Sequence, residues 1–410
     1  MGMTMTEKIL ARKSGSREVR PGDIVVCEVD LAVQIDVGFQ MPNQVFDPER
    51  IVLVADHAVP APTVEAAGAH AAMREASRRF GIRHLHDVGR HGIVHQVLAE
   101  GGYALPGTLL AAGDSHSCAA GAFNCAARGL GGPEMLYVLA AGRTWFMVGP
   151  TVRFVLEGEL PDLVSARDVF HWIAGEYGDF VGHNIEYAGP AVRSMSIAAR
   201  QNLATMAAEL SAEFALFEAD DRTMSYLRER TDAEFEPVYP DADAEYEAEY
   251  TVNLSELAPQ VILPDRVPKN ARPARDLAGV RITQAFIGSC ANGRLEDLAI
   301  AARLLKGRKI HPDVRLIVTP SSQAEYLRAV QAGYVETIVE AGGVVTSSTC
   351  GACGGFHMGV LGPTDVCITA STRNFPGRMG SPTARIFLGS PATVAASAVR
   401  GEISDPRELS

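Results

Sequence analysis

The sequence has no long apolar run, no basic stripe and few cysteines. No stretch reaches the roughly 18 uninterrupted apolar residues that a membrane-spanning helix needs, so no span is expected. The start MGMTMTEKILARKSG lacks the apolar core of a secretion signal. Lys and Arg total 37 against 49 Asp and Glu, a formal net charge of −12. With no basic arm, nucleic acid is not an expected partner. An anionic small molecule is still compatible with a locally positive cleft. The seven cysteines, at 27, 118, 125, 290, 350, 353 and 367, are odd in number. A chain of 410 residues buries a core without staples, so a secreted disulfide framework is excluded and the reducing cytoplasm is the expected location.

What is present is glycine, 39 residues clustered at apparent element junctions. That suits an α/β protein with tight loops against bound ligands. The length implies two or three domains. Residues 51–55 form an apolar strand ending in the polar pair Asp56–His57, and 63–81 read as an amphipathic helix closed by Gly81. Residues 91–100 read as a strand or a helix start. Residues 107–132 read as a strand, a Gly-Asp turn and a helix of small residues. Strand, polar turn and helix recurring in this way is the pattern of parallel α/β units. From about 178 the chain reads as mostly helical, 231–250 as an acidic exposed segment, and 261–279, with three prolines, as a connector. The expected domains are 1–178, 179–278 and 279–410.

Three groups of residues could carry chemistry. In SSTCGACGGFHMG (347–359), Cys350 and Cys353 stand in Cys-x-x-Cys spacing. That spacing serves structural zinc, a redox pair or an iron–sulfur cluster. No second Cys-x-x-Cys completes a zinc site, and the pair lies far from the start of a small βαβ domain. Cys290, at the end of QAFIGSC, could supply a third thiolate. Three thiolates would leave one iron of a cluster without a protein ligand, free to act as a Lewis acid. Three inert buried thiols remain the plain alternative. In STRNFPGRMGS (371–381), Arg373 and Arg378 flank a Pro-Gly turn that could aim both guanidiniums at carboxylates. In GDSHSC (113–118), Asp114, Ser115 and His116 are sequence neighbours whose side chains diverge. They read as a polar turn at a strand end, not as a triad. Asp56–His57 and His95 in GIVHQ stand in similar turns, where a carboxylate beside a histidine raises its basicity and sets its tautomer.

With these residues assembled, the chain resembles the aconitase superfamily, and within it the large-subunit family of 3-isopropylmalate dehydratases. The resemblance rests on TEKILA (6–11), DHAVP (56–60), GIVHQ (92–96), GDSHSCAAGAF (113–123), FIGSCANGRLEDL (286–298), CGACGG (350–355) and STRNFPGRMGSPTARIFLGSP (371–391), in the family's order over nearly the whole chain. It implies an aconitase-like three-domain α/β/α architecture around a cleft, and a [4Fe–4S] cluster on Cys290, Cys350 and Cys353. It implies dehydration and rehydration of a hydroxy di- or tricarboxylate, 3-isopropylmalate or a relative such as homocitrate or a methylated malate. Asp56 and His57 would handle the leaving hydroxyl, supported by His95, Asp114, His116 and Glu209. Arg373, Arg378, Asn374 and Ser115 would bind substrate. A separate small subunit carrying the family's swivelling domain is the expected partner. A cluster-lacking RNA-binding role, known in the superfamily, is opposed by the charge of −12. Two positions depart from the family pattern. Ile35 stands where a histidine or glutamine is usual, implying a more apolar pocket, and Thr205 stands where an asparagine is usual.

Overall fold

The computed structural model describes residues 2–409. Three parallel-rich sheets follow one another along the chain. The first orders its strands His84–His86, Ile51–Val54, Leu31–Ile35, Leu109–Ala112 and Ala126–Gly129, all parallel. Alternate side chains leave opposite faces of a strand. Ala32, Ile51 and Leu53 accordingly pack with Met73 of helix Val64–Phe80 on one side. Val33, Val52, Val54 and Leu110 pack with helix Val94–Glu100 on the other. Burial on both faces explains the continuous apolar runs.

The second sheet orders Ala215–Phe217, Asn184–Ala188, Thr151–Glu157 and Ala248–Asn253, again all parallel. The third has seven strands. Its parallel part runs Arg385–Leu388, Val366–Thr369, Gln284–Ile287, Arg315–Val318 and Val344–Val345. A short antiparallel extension, Gln260–Ile262 and Ala271–Pro273, completes it. Phe286, Cys367 and Ile386 of the third sheet share one core with Phe154, Ile185 and Phe217 of the second, so the two units are fused.

Several expectations change here. The helix after Asp114 is a 3-10 segment, Ser117–Phe123, because its small residues let it lie against strand Ala215–Phe217. The stretch after 178 is a mixed unit whose strands, three to six residues long, are too short to show a clear period. The proline-rich connector contains the two antiparallel strands, with Pro273 at the outer edge where no ladder donor is needed. The sheets span 31–129, 151–253 and 260–388. Helix Val64–Phe80 ends at Gly81, left-handed as expected.

The tightest approach is at Gly121. A Cβ there would lie 1.5 Å from the carbonyl oxygen of Ala215. Gly121→Ala is expected to cost about 3 kcal/mol, read as a lower urea midpoint. An unchanged midpoint would show that the 3-10 segment can move away from the strand.

Candidate active site

Parallel strands place their carboxyl ends on one rim, where α/β proteins build sites. Three adjacent strands of the first sheet end in Asp36, in Asp56–His57 and in Asp114. The third sheet faces them with the loop after strand Gln284–Ile287, which carries Cys290, and the loop after Val366–Thr369, which carries Arg373 and Arg378. Cys350 and Cys353 sit in the 3-10 turn Gly351–Gly354. Ser289, just before Cys290, has φ 81°, a left-handed backbone unusual for serine and typical of strained functional turns.

These residues meet. Asp56, His57, His95, Asp114, Ser115, His116, all three site cysteines, Arg373 and Arg378 line one small cavity of about 60 Å³. Ile93 is its apolar wall. His57 Nδ1 lies 2.5 Å from Asp56 Oδ1, and its Nε2 is 3.6 Å from Asp114 Oδ2. His95 Nε2 lies 2.8 Å from Asp114 Oδ1, which also accepts the His116 amide at 2.8 Å. His116 Nε2 and Arg373 Nε converge on one oxygen, Glu209 Oε1, each at 2.7 Å. Asp114, Ser115 and His116 therefore face different partners, as their adjacency in sequence requires.

Charge states follow from these contacts. Burial disfavours the imidazolium of His57, but Asp56, Asp114 and Asp36 outweigh it and raise the ring to about 10. Burial raises Asp56 to about 7 even against the pull of His57, so the pair shares a proton that rests on the ring. Burial lowers His95, and its bond to Asp114 does not reverse this, so His95 is neutral. Burial works against ionised Asp114, yet His95 and His116 hold it well below the carboxylate range.

Three positions singled out in the sequence lie outside the cavity lining. The Asn374 amide is spent on the carbonyls of Leu263, at 2.6 Å, and Arg266, at 3.3 Å, and shapes the turn beside the cavity instead of lining it. Ile35 packs in the core of the first sheet, so it does not make the cavity apolar. Thr205 is buried and its hydroxyl has no partner. One turn earlier, Asn202 donates to the carbonyl of Ala291 at 2.8 Å and steadies the Cys290 loop.

Sequence reasoning missed the residues that position the others. Asp36 accepts the amides of Asp56, His57 and Ala58 at 3.3, 3.0 and 2.9 Å, and His70 Nε2 at 3.2 Å. Its place at a strand end was the available signal. Thr349, His357 and Arg294 carried none, because their partners are distant in the chain.

Among the described residues, no three donors that include a cysteine approach within 4.8 Å of one another, as a single tetrahedral ion requires. The set that does, Asp36, Asp56 and His57, is already joined by hydrogen bonds. Sulfurs on one cavity wall but too spread for one ion fit a multi-iron cluster. The Cys350 thiol hydrogen-bonds Cys353 and, with Arg378 at 3.6 Å, holds Cys353 as a thiolate, while Cys350 is raised in turn.

Comparison with known proteins decides the family. The aconitase family (aconitate hydratase) is matched by residues 24–275 and 265–401. The chain belongs to the aconitase family. It is 50% identical to the 3-isopropylmalate dehydratase large subunit of Mycolicibacterium smegmatis, covering 100% of this chain and 98% of that protein. It is 46% identical to the 3-isopropylmalate dehydratase large subunit 1 of Methanopyrus kandleri, covering 99% of each. A probable methanogen homoaconitase large subunit of Methanothermobacter thermautotrophicus is 42% identical, over 99% of this chain and 98% of that one. As an aconitase-family chain this protein is a hydro-lyase, and the family implies an iron–sulfur cluster. No helix among the described residues is long and apolar enough to cross a membrane.

The charge assignment can be checked by imidazole ¹⁵N shifts. His57 is expected as imidazolium at neutral pH and His95 as neutral imidazole. A His57 that titrates near the ordinary value of about 6.5 would overturn the assignment.

Proposed function

We propose that this chain is the large subunit of a [4Fe–4S] hydro-lyase that isomerises 3-isopropylmalate and 2-isopropylmalate by dehydration and rehydration. Its small subunit would carry the swivelling domain and complete the site in the cytoplasm. The single observation that carries this reading is the cavity where three cysteines, two arginines and the Asp56–His57 pair meet. The named large-subunit relatives, matched over nearly their whole length, support both the substrate and the partner.

Cys290, Cys350 and Cys353 would hold the cluster. When bound, it supplies a Lewis-acidic iron that polarises a hydroxyl and a carboxylate. Arg373 and Arg378 present cationic faces to the substrate's carboxylates, which suits the fork geometry of guanidinium. Glu209 aims Arg373 by accepting its Nε. His57 holds the proton that the leaving oxygen needs, so the C–O bond breaks to release water and not hydroxide. Asp56 keeps that ring oriented, and Asp114 tethers His95 beside it. The proton on the neighbouring carbon must go to a base, assigned here to the small subunit. Rehydration reverses these transfers on the adjacent carbon, with His57 taking the proton back from water.

The homoaconitase-named relative favours homocitrate as a second substrate to test. Anaerobically reconstituted chain with its small subunit is expected to turn over 3-isopropylmalate faster than homocitrate or methylated malates, and the chain alone to be nearly inactive. Preference for another acid would replace the substrate, and full activity without partner would remove the small subunit from the reading. His57→Gln is expected to lower kcat by about 10² to 10⁴-fold with iron and sulfide content unchanged. Cys290→Ser, Cys350→Ser and Cys353→Ser are each expected to lose iron and sulfide together.

A further inference from the structure

Strands Ile24–Glu28 and Arg143–Met147 form a two-stranded antiparallel ribbon of their own. Its register sets Ile24 opposite Met147, Val26 opposite Trp145 and Glu28 opposite Arg143. One face of the ribbon is used. Val25, Cys27 and Phe146 pack with Met5, Ile9 and Leu10 of helix Met5–Ser14. The other face is bare and mostly apolar. Ile24, Val26, Trp145 and Met147 are 44 to 69% exposed. The outer face of an antiparallel pair is ordinarily polar, and contiguous exposed apolar side chains mark an interaction site. Glu28 and Arg143, both exposed, close one end of the strip. Among the described residues, neither side chain has a hydrogen-bond or ion-pair partner.

The place of the ribbon narrows what covers it. Glu28 stands three residues before Leu31, the first residue of strand Leu31–Ile35. The ribbon therefore joins the first sheet at the amino ends of its strands, whereas the catalytic cavity lies at their carboxyl ends. A subunit that completes the cavity covers the carboxyl rim, and the ribbon stands away from it. The pattern of the face points instead to a second copy of this chain. A two-fold axis in the contact plane, close to the strand direction, lays each strand over the other strand of the second ribbon. Ile24 then faces Met147, Val26 faces Trp145, and Glu28 faces Arg143, each twice. Every apolar side chain meets an apolar one and both open charges gain a partner. That is the self-complementarity an isologous contact requires.

We propose that the outer face of this ribbon is a homodimer contact, with Trp145 as its aromatic anchor and two Glu28–Arg143 pairs at its rim. Aromatic anchors carry most of the energy of a contact, and rim charges fix its register. Six side chains per copy are far fewer than the roughly 20–30 residues of a standard interface, so the dimer exchanges with free chain. The contact is remote from the reacting atoms and does not depend on the cluster or the substrate.

Sedimentation velocity of the full-length chain, with and without its small subunit, tests this from about 1 to 100 μM, the weak end of protein association. The wild type is expected to pass from one large chain to two as concentration rises. Trp145→Glu is expected to weaken association by about 30-fold or more, as loss of an anchor does. Glu28→Arg and Arg143→Glu are each expected to stay single, since like charges then meet across the axis. An equimolar mixture of these two variants is expected to form a mixed dimer, because one brings two arginines to the rim and the other two glutamates. Pairing within one chain cannot produce that rescue. A wild type that stays single, a dimer that survives Trp145→Glu, or a mixture that stays single would each overturn the inference. Loss of small-subunit binding in Trp145→Glu would also overturn it, by giving the face to that subunit. If Trp145→Glu does not fold, the charge variants and their mixture decide alone. Failure of the dimer leaves the functional reading intact.

Discussion

The site depends on one seam of hydrogen bonds between the first and third sheets. The carbonyl of Asp56 accepts from the amide of Cys350 at 2.8 Å and from the Thr349 hydroxyl at 3.0 Å. The carbonyl of His57 accepts from that same hydroxyl at 3.1 Å and from His357 Nε2 at 3.2 Å. The backbone that carries the acid–base pair is thus the backbone that seats the cysteine turn. The two turns are thereby tied directly to each other. Asp36 completes the seam from beneath, with three amides of the Asp56 turn on its carboxylate.

Electrostatics then divides the cavity into roles. On the first-sheet side, Asp36, Asp56 and Asp114 gather around His57 and keep it protonated. On the third-sheet side, Arg378 faces the Cys353 sulfur and Arg373 is held by Glu209. An acidic protein of net charge −12 thereby lines one cavity with two guanidiniums. The mean charge of the chain says little about this pocket, because paired groups inside a cleft answer to their neighbours and not to the total.

Much of the candidate site was legible because its residues sit in short, dense motifs at strand ends. Asp56, His57, Asp114, His116, Arg373 and Arg378 all read as turns, and turns are where chemistry-bearing side chains concentrate. The alternation of strand and helix was legible in residues 31–129 for the same reason, since apolar runs there are bounded by clear polar breaks. The second unit was not, because strands as short as Ala215–Phe217 carry too few residues for a period. The family resemblance implied Asn374 as a substrate ligand, and its amide is consumed by two backbone carbonyls. Ile35 read as an apolar pocket residue from its departure from the family pattern, but alternate residues of a strand face opposite ways and it packs in the core.

By itself the sequence determined the parallel α/β class, the Cys-x-x-Cys with its third cysteine, and the residue types gathered at the strand ends. These depend on local propensity, on spacing and on a short-range pattern that the chain carries in linear form. Tertiary structure alone decided which carboxylate serves which histidine and that the cysteines are spread too widely for one ion. It also decided that buried Arg167 donates to the carbonyl of Ser371, 204 residues away in the chain. Those facts arise from contacts between separate sheets, and no local pattern encodes a partner that only folding brings near.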